Sequence, residues 1–226
     1  MSSTSNVSIC IHSVAEDTAY LGPVMTMLER HEFESFRLSD KGSENLALSE
    51  LEKTSTAFVI IMAHGRSDCI YGGEYRDRIE GESRESTEIV NKDNLSLFND
   101  KAVFCFSCGS ESLGRKAMNV GAKAFVGFDK IGFEPLIGTN RTVTVKTKGI
   151  IKNSLIATFS KFIRDGLSLE SAAEYLKLYL MRSAVDFVRT NRKETHRHEI
   201  ARLLLEQKEG IRYYGPQDVY FSGSAG

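Results

Sequence analysis

Two reactive side chains, the thiol of Cys108 and the imidazole of His64, directly follow short apolar runs of the sequence. Residues 102–106 (AVFCF) and 57–63 (AFVIIMA) are apolar throughout, which is typical of strands buried on both faces of a parallel sheet. Because the carboxyl ends of parallel strands lie at one edge of a sheet, we expect the two side chains to meet there. A Cys–His pair supplies a nucleophile and a proton donor, which is the chemistry of covalent acyl transfer.

The residues around Cys108 and His64 support the same chemistry. A helical segment, 111–120, follows Cys108 and ends before Gly121, a residue suited to a helix C-terminus. A helix N-terminus stabilises a nearby thiolate. Gly65 and Gly109 let the backbone approach a substrate closely, so amide N–H groups near Gly65 and Cys108 are candidates for an oxyanion hole.

At these residues the chain resembles the caspase-like cysteine peptidases, and most closely their bacterial CHAT branch. The resemblance is carried by an apolar run ending in His-Gly at 64–65, by another ending in Ser-Cys-Gly at 107–109, and by GAKAFVG at 121–127. It continues at 166–172 (GLSLESA), which is similar to a helix start common in the CHAT branch. The late segment 214–218 (YGPQD) departs from the Gly-Asp-Pro turn of related domains.

The resemblance implies a fold and an activity. The fold would be α/β, a caspase-like open, mostly parallel sheet with helices on both faces. The activity would be that of a cysteine endopeptidase, with Cys108 as nucleophile, His64 as general acid/base and Gly65 as oxyanion contact. Proteins of the CHAT branch often act as effectors released by a partner or a signal, typically in bacterial antiviral defence.

Other functions remain open for the same residues. The chain could be a non-catalytic, caspase-like interaction subunit. The segment 109–117 (GSESLGRKA) approaches a phosphate-binding loop, which keeps a nucleotide-binding α/β protein as an alternative, although its Lys116 is one place late and Ala117 stands where Ser or Thr would hold Mg²⁺. Cys105 and Cys108 form a C-x-x-C pattern, but Cys105 falls inside the predicted strand and is better interpreted as core packing.

Composition limits the classes of partner and compartment. With 226 residues and 41% hydrophobic residues, we predict one domain over 1–221 and treat 222–226 as a frayed tail. A net charge of −1 gives no general attraction to nucleic acid or membrane, and the longest apolar run, 57–63, is too short to span one. Residues 1–6 do not suggest a signal peptide, and four cysteines in a chain of this length suggest a reduced, cytoplasmic protein. No cluster has zinc spacing, so we expect no metal or other cofactor.

The remaining pattern predicts the elements that position the site. From the N-terminus to residue 63 the order β-α-β-α-β predicts a parallel sheet. Residues 66–91 predict a β-hairpin around Gly72 and Gly73 followed by a charged loop, and residues 141–148 (RTVTVKTK) predict an edge hairpin or loop. Helices are predicted over 151–163, from a cap at Ser168 onward, and over about 194–208.

Specificity and control are predicted from the connections at the same sheet edge. Asp129 follows the strand after Cys108 and is predicted to select Arg or Lys before the cleaved bond, with a surface acid as the alternative. Segments 66–91 and 130–148 are candidates for ordering that completes the site. We therefore expect a protein substrate and a latent enzyme activated by a protein partner or a signal.

Overall fold

The fold is that of an α/β protein, in a computed structural model that describes residues 6–73, 87–131 and 141–220. The strands are β1 (Val7–Ser13), β2 (Glu34–Leu38), β3 (Thr56–Met62), β4 (Cys69–Tyr71), β5 (Glu88–Asn91), β6 (Ala102–Phe106), β7 (Ala124–Phe128) and β8 (Ile211–Tyr214). The helices are α1 (Gly22–Glu29), α2 (Lys41–Glu52), α3 (Ser110–Asn119), α4 (Arg141–Asp165), α5 (Leu169–Thr190) and α6 (Arg197–Gly210).

The main sheet has six strands in the order β2-β1-β3-β6-β7-β8. Its first five strands run parallel, and only β8 runs antiparallel to its neighbour β7. The predicted β-α-β-α-β order and the mostly parallel sheet are therefore confirmed. The central position of β3 and β6 explains why β6 is apolar throughout and β3 is apolar after Thr56, since each strand is covered on two faces.

Helices cover both faces of the sheet, and alternate residues of each strand enter two separate cores. Ile60 and Met62 of β3 belong to the core on one face, together with buried residues of α1, α4, α5 and α6. Val59 and Ile61 belong to the core on the other face, together with residues of α2 and α3. The side chains of a strand alternate between faces, so this division follows directly from the sequence.

Residues 141–148 correct one prediction, because they form the start of α4 instead of an edge hairpin or loop. Val143, Thr147 and Ile151 are buried at intervals of four residues, whereas Val145 is exposed. The alternating Thr-Val pattern favours a strand locally, but burial of this helical stripe against the sheet outweighs β-propensity. The predicted helix at 151–163 is the continuation of the same helix.

The region after His64 differs in detail from the predicted hairpin. β4 and β5 do pair antiparallel, but the Gly72 N–H donates to the Thr87 carbonyl at 2.8 Å, so the glycines extend the ladder and do not form the turn. Most of the predicted charged loop, 74–86, lies outside the described residues. β8 follows the last helix and is a strand that the sequence pattern did not predict.

Helix starts agree with the sequence signals. The Ser168 hydroxyl accepts from the Ser171 N–H at 3.2 Å at the start of α5, which confirms the predicted cap. Pro23 lies in the first turn of α1, where the fixed φ of proline suits the start of a helix. Within the described residues, no helix is both long and apolar enough to cross a membrane.

Candidate active site

His64 and Cys108 occupy equivalent positions beyond two neighbouring parallel strands. Met62 and Phe106 are the last paired residues of β3 and β6, and the Ala63 N–H donates to the Phe106 carbonyl at 3.2 Å. His64 and Cys108 each follow two residues after that last pair. Neighbouring strands lie about 4.8 Å apart, so the structure brings the two backbones to one sheet edge.

Glycines allow the two loops beyond these strands to touch backbone to backbone. A Cβ added at Gly65 would stand 2.1 Å from the Ser107 Oγ and 3.0 Å from the Cys108 carbonyl oxygen. Gly109 has a φ of 69°, and a Cβ there would stand 2.5 Å from the Ser67 nitrogen. Such distances exclude ordinary side chains without a shift of the backbone, so both glycines are needed for this packing.

The loop that carries His64 is fixed by β4. The Tyr71 N–H donates to the His64 carbonyl at 2.9 Å, and the Arg66 N–H donates to the Cys69 carbonyl at 2.9 Å. These two bonds close a tight turn in which His64 is half-buried. Among the described residues, the Gly65 N–H makes no backbone hydrogen bond, in agreement with its candidacy as an oxyanion donor.

Cys108 lies directly before α3, with its thiol half-buried. The Gly109 N–H donates to the Asp129 carbonyl at 2.8 Å and thereby anchors the start of the helix. The Cys108 Sγ lies 3.6 Å from the carbonyl oxygen of Ile131, within the range of a weak S–H donor. A thiol next to a helix N-terminus is stabilised in its charged, nucleophilic form.

The other three cysteines are buried, so their thiols are not accessible to a substrate. They are Cys10, Cys69 and Cys105. Burial raises the pKa of Cys10 and of Cys69, and it raises the pKa of Cys105 to about 12. Cys105 is fully enclosed in the core on the α2/α3 face, which agrees with its interpretation as core packing. Cys108 is thus the accessible thiol of the chain.

Tyr20 is a neighbour of Cys108 that the sequence analysis missed. Burial raises the pKa of the Tyr20 phenol well above its usual value, and the nearby charges of Cys108 and Asp17 raise it further. The Lys148 ammonium lies 5.3 Å from the centre of the Tyr20 ring and 3.2 Å from the Asp17 carboxylate. The sequence could have pointed to Tyr20 through its place in the connection after β1. That connection reaches the same sheet edge as the connections after β3 and β6.

Asp129 stands at a cleft, and its backbone lies close to Cys108 in space, because its carbonyl accepts from the Gly109 N–H at 2.8 Å. Its exposed side chain lines a cleft of about 890 Å³ together with residues of α6 and with Arg212 of β8. Its N–H donates to the Gly210 carbonyl at 2.9 Å. Because Ile131 contacts the Cys108 thiol, three consecutive residues connect the cleft to the cysteine.

The geometry after Cys108 does not fit a phosphate-binding loop. α3 already begins at Ser110, so Gly114 and Lys116 lie inside a helix and not in a loop that surrounds a phosphate. A Cβ at Gly114 would stand 2.5 Å from the ring of Phe125, so this glycine serves the packing of α3 on the sheet. The nucleotide-binding alternative loses its structural basis.

Comparison with known proteins leaves the function to the site itself. No protein-family model matches the chain, and no curated protein matches its sequence. Since α/β sheets of this kind support many unrelated activities, the fold does not decide among them. Function is therefore inferred from the arrangement of His64, Gly65 and Cys108.

Proposed function

We propose that this protein is a cysteine endopeptidase of the caspase-like kind, closest to the CHAT branch. The observation that carries the proposal is the equivalent placement of His64 and Cys108, each two residues beyond paired central strands. Two supports accompany it: the loops around the pair are in backbone contact, and Cys108 is the accessible thiol. A nucleophile and a base at the carboxyl edge of a parallel sheet match the usual place of catalytic groups in such folds.

In the proposed reaction, the Cys108 thiolate attacks the carbonyl carbon of the scissile peptide bond. The new C–S bond makes a tetrahedral oxyanion, to which the Gly65 N–H donates. His64, protonated, gives its proton to the leaving nitrogen as the C–N bond breaks, which leaves a thioester on Cys108. A water molecule then loses a proton to His64 and attacks the thioester, so that the product acid leaves and the thiol is restored.

Specificity for a basic residue follows from Asp129. Its carboxylate is exposed, and the carbonyl of Ile131, two residues further on, contacts the Cys108 thiol. Asp129 and Ile131 thus belong to one short segment that contacts the nucleophile. A carboxylate on this segment favours Arg or Lys next to the cleaved bond by charge-assisted hydrogen bonding. Cleavage after Asp, or an unchanged preference in Asp129→Ala, would contradict this assignment.

The enzyme is proposed to be latent until a protein partner or a signal activates it, and from the resemblance its setting is bacterial defence. Activation is proposed to act through segments 66–91 and 130–148 where they leave the sheet near the site, although residues 141–148 already form the start of α4. Residues 74–86 and 132–140 of these segments lie outside the described residues. High activity of the isolated chain on small peptides would contradict the latency.

A second function, that of a non-catalytic interaction subunit, is favoured by one surface of α5. Leu178, Met181 and Val185 are 52%, 39% and 61% exposed and recur at helical spacing along one face. An apolar stripe of this kind is typical of a surface that binds another protein. Such a surface would serve an activating partner equally well.

One experiment separates the two functions. A candidate substrate is incubated with wild type, Cys108→Ala and His64→Ala, with and without the candidate partner, and the products are identified by mass spectrometry. Cuts that appear with wild type and disappear with both variants support the endopeptidase. Cys69→Ala serves as the matched control, because Cys69 is buried and lies outside the proposed pair. Full activity of purified, folded Cys108→Ala would exclude the assignment.

A further inference from the structure

A cleft between the Asp129 segment and α6 contains features that the proposed catalytic step does not use. Its volume is about 890 Å³, and most of its lining comes from α6, with contributions from Asp129, Lys130 and Arg212. A volume of this order accommodates a peptide segment. Gly210, at the end of α6, lies against the backbone of Lys130, since a Cβ there would be in ordinary contact with the Lys130 nitrogen at 3.6 Å.

Gln207 is the unusual residue of this lining. Its side chain is buried, with 2% exposure, yet among the residues that the structure describes neither the amide nitrogen nor the amide oxygen has a hydrogen-bond partner. Burying an amide without partners is unfavourable, and nearly all buried polar groups in proteins are paired. A hydrophobic residue would suit this position better if packing were its only role, so the unpaired amide indicates a ligand.

The charges of the cleft narrow the class of ligand. The Arg202 guanidinium pairs with Glu206, and Lys208 pairs with Glu209 at 2.6 Å, so these side chains neutralise one another. Within the described residues, the Asp129 carboxylate has no ion-pair partner. Lys130 and Arg212 also line the cleft, so its charges are of both signs and give no general attraction to a polyanion such as a phosphate backbone. The Asp129 carboxylate is the group that pairs with a cationic side chain of a polypeptide.

We propose that this cleft binds an extended polypeptide segment that carries a basic side chain, with Gln207 as a specificity-determining residue. The Gln207 Nε2 donates to a peptide carbonyl and its Oε1 accepts from a peptide N–H, which satisfies both amide atoms at once. The Asp129 carboxylate pairs with a Lys or Arg of the same segment. Because the amide atoms are buried, the Gln207 side chain turns into the cleft to make these bonds, a change between staggered rotamers.

The inference rests on the proposed function for the identity of the ligand as substrate. The path from the cleft to Cys108 is short, because Asp129 lines the cleft and Ile131 contacts the Cys108 thiol. A segment held by Asp129 and Gln207 is therefore anchored beside the nucleophile. Binding energy from such a remote contact is available to orient the scissile bond.

The test uses Gln207→Leu, which keeps the side-chain size and removes both unpaired polar atoms. We expect Gln207→Leu to unfold at a higher temperature than the parent and to bind basic peptide at least about tenfold more weakly. Binding is measured by fluorescence anisotropy in the Cys108→Ala background, so that no cleavage interferes. The probes are labelled, acetylated and amidated Ser-Ala-Gly peptides with a central Lys, Leu or Asp.

Thr158→Val is the matched control. Thr158 is also fully buried with an unpaired hydroxyl, but it lies in α4 and does not line the cleft. Thr158→Val should raise the unfolding temperature without changing peptide affinity. This comparison separates the removal of a buried polar atom from the loss of a binding contact.

The outcomes distinguish this inference from the proposed function. Equal binding of the Lys peptide by Gln207→Leu and its parent, equal binding of the Lys and Asp peptides, or no binding of any peptide would each overturn the inference. Weakened binding in Gln207→Leu together with no proteolysis by wild type would uphold the cleft as a peptide site and overturn the endopeptidase. Proteolysis by wild type, with an unchanged KM in Gln207→Leu, would uphold the endopeptidase and overturn the cleft as a peptide site.

Discussion

The α-carbon of Gly65 lies directly against the Ser107 hydroxyl, so that a Cβ at Gly65 would stand 2.1 Å from the Ser107 Oγ. Ser107 is fully buried, and within residues 6–73, 87–131 and 141–220 its hydroxyl has no hydrogen-bond partner. The contact joins the loop that carries His64 to the turn that carries Cys108. The relative position of the two proposed catalytic groups therefore requires a residue without a Cβ at position 65.

Gly65→Ala should lower peptidase activity by about a hundredfold, since a displacement near 1 Å at an active site can cost that much. The physical reason is that the new methyl group must push the His64 loop away from Ser107. The measurement is kcat/KM on a fluorogenic peptide, together with the unfolding free energy in denaturant. In the double variant Gly65→Ala with Ser107→Gly the closest clash is gone, and part of the activity should return.

Gly149→Ala is the control for the glycine substitution. Gly149 lies within α4, and a Cβ there would meet nothing within 4 Å. The helix should gain about 1 kcal/mol of stability from the exchange, with activity unchanged. If Gly65→Ala were as active as Gly149→Ala, the backbone contact at Gly65 would have no role in catalysis.

Alkylation of the native protein should select Cys108. It is the only half-exposed thiol of the four, and burial raises the pKa of the others, that of Cys105 to about 12. Since only thiolates react, brief exposure to iodoacetamide near neutral pH should label Cys108 well before the rest. Peptide mass mapping measures the label, and unfolding in denaturant should make all four thiols react alike. Equal labelling of the native protein would contradict an activated Cys108.

Cys105→Ser should destabilise the protein by roughly 1–3 kcal/mol, because it places a hydroxyl in an apolar core. Cys105 is completely buried among residues of the α2/α3 face. The folded fraction should remain active, whereas Cys108→Ser should fold normally and lose activity. The measurements are urea unfolding and activity per folded molecule. A stable but inactive Cys105→Ser beside an active Cys108→Ser would move the nucleophile to Cys105.

The strands that carry the candidate site were predictable because their signal is local. Residues 57–63 and 102–106 are apolar at every position, and this pattern has few interpretations other than a strand covered on both faces. The convergence of His64 and Cys108 then follows from the parallel pairing of β3 with β6. Their distance in the sequence does not matter once the strands are neighbours.

The parts that could not be predicted depend on tertiary contacts. The start of α4 has a strand-like sequence, and only the burial of Val143 and Thr147 against the sheet makes it helical. Gln207 reads as an ordinary polar residue of a charged helix, because its unpaired amide is visible only once α6 is packed. Tyr20 likewise comes near Cys108 only through the folded connection after β1.

His12 makes the fold sensitive to mild acid. It lies near the end of β1 with 3% exposure, and its Nε2 lies 3.0 Å from the Thr18 carbonyl oxygen. A carbonyl only accepts, so Nε2 carries the proton, and the unprotonated Nδ1 is buried without a partner. Burial, assisted by the charge of Arg37, lowers the pKa of His12 from its usual 6.5, against the opposing effect of the Thr18 hydrogen bond.

The sign of the pH effect follows from this lowered pKa. Below about pH 6.5 the unfolded chain binds a proton at His12 that the native protein does not bind, so the unfolding free energy should fall as the pH falls. We expect the unfolding free energy to fall between about pH 7 and pH 5 in urea titrations. Its dependence on pH should be flatter in His12→Gln, which keeps an N–H donor but does not titrate.

His31→Gln is the control, because His31 is exposed and its replacement should leave the pH dependence of the unfolding free energy unchanged. A wild-type profile that matches His12→Gln would show that the buried ring titrates as it does in the unfolded chain.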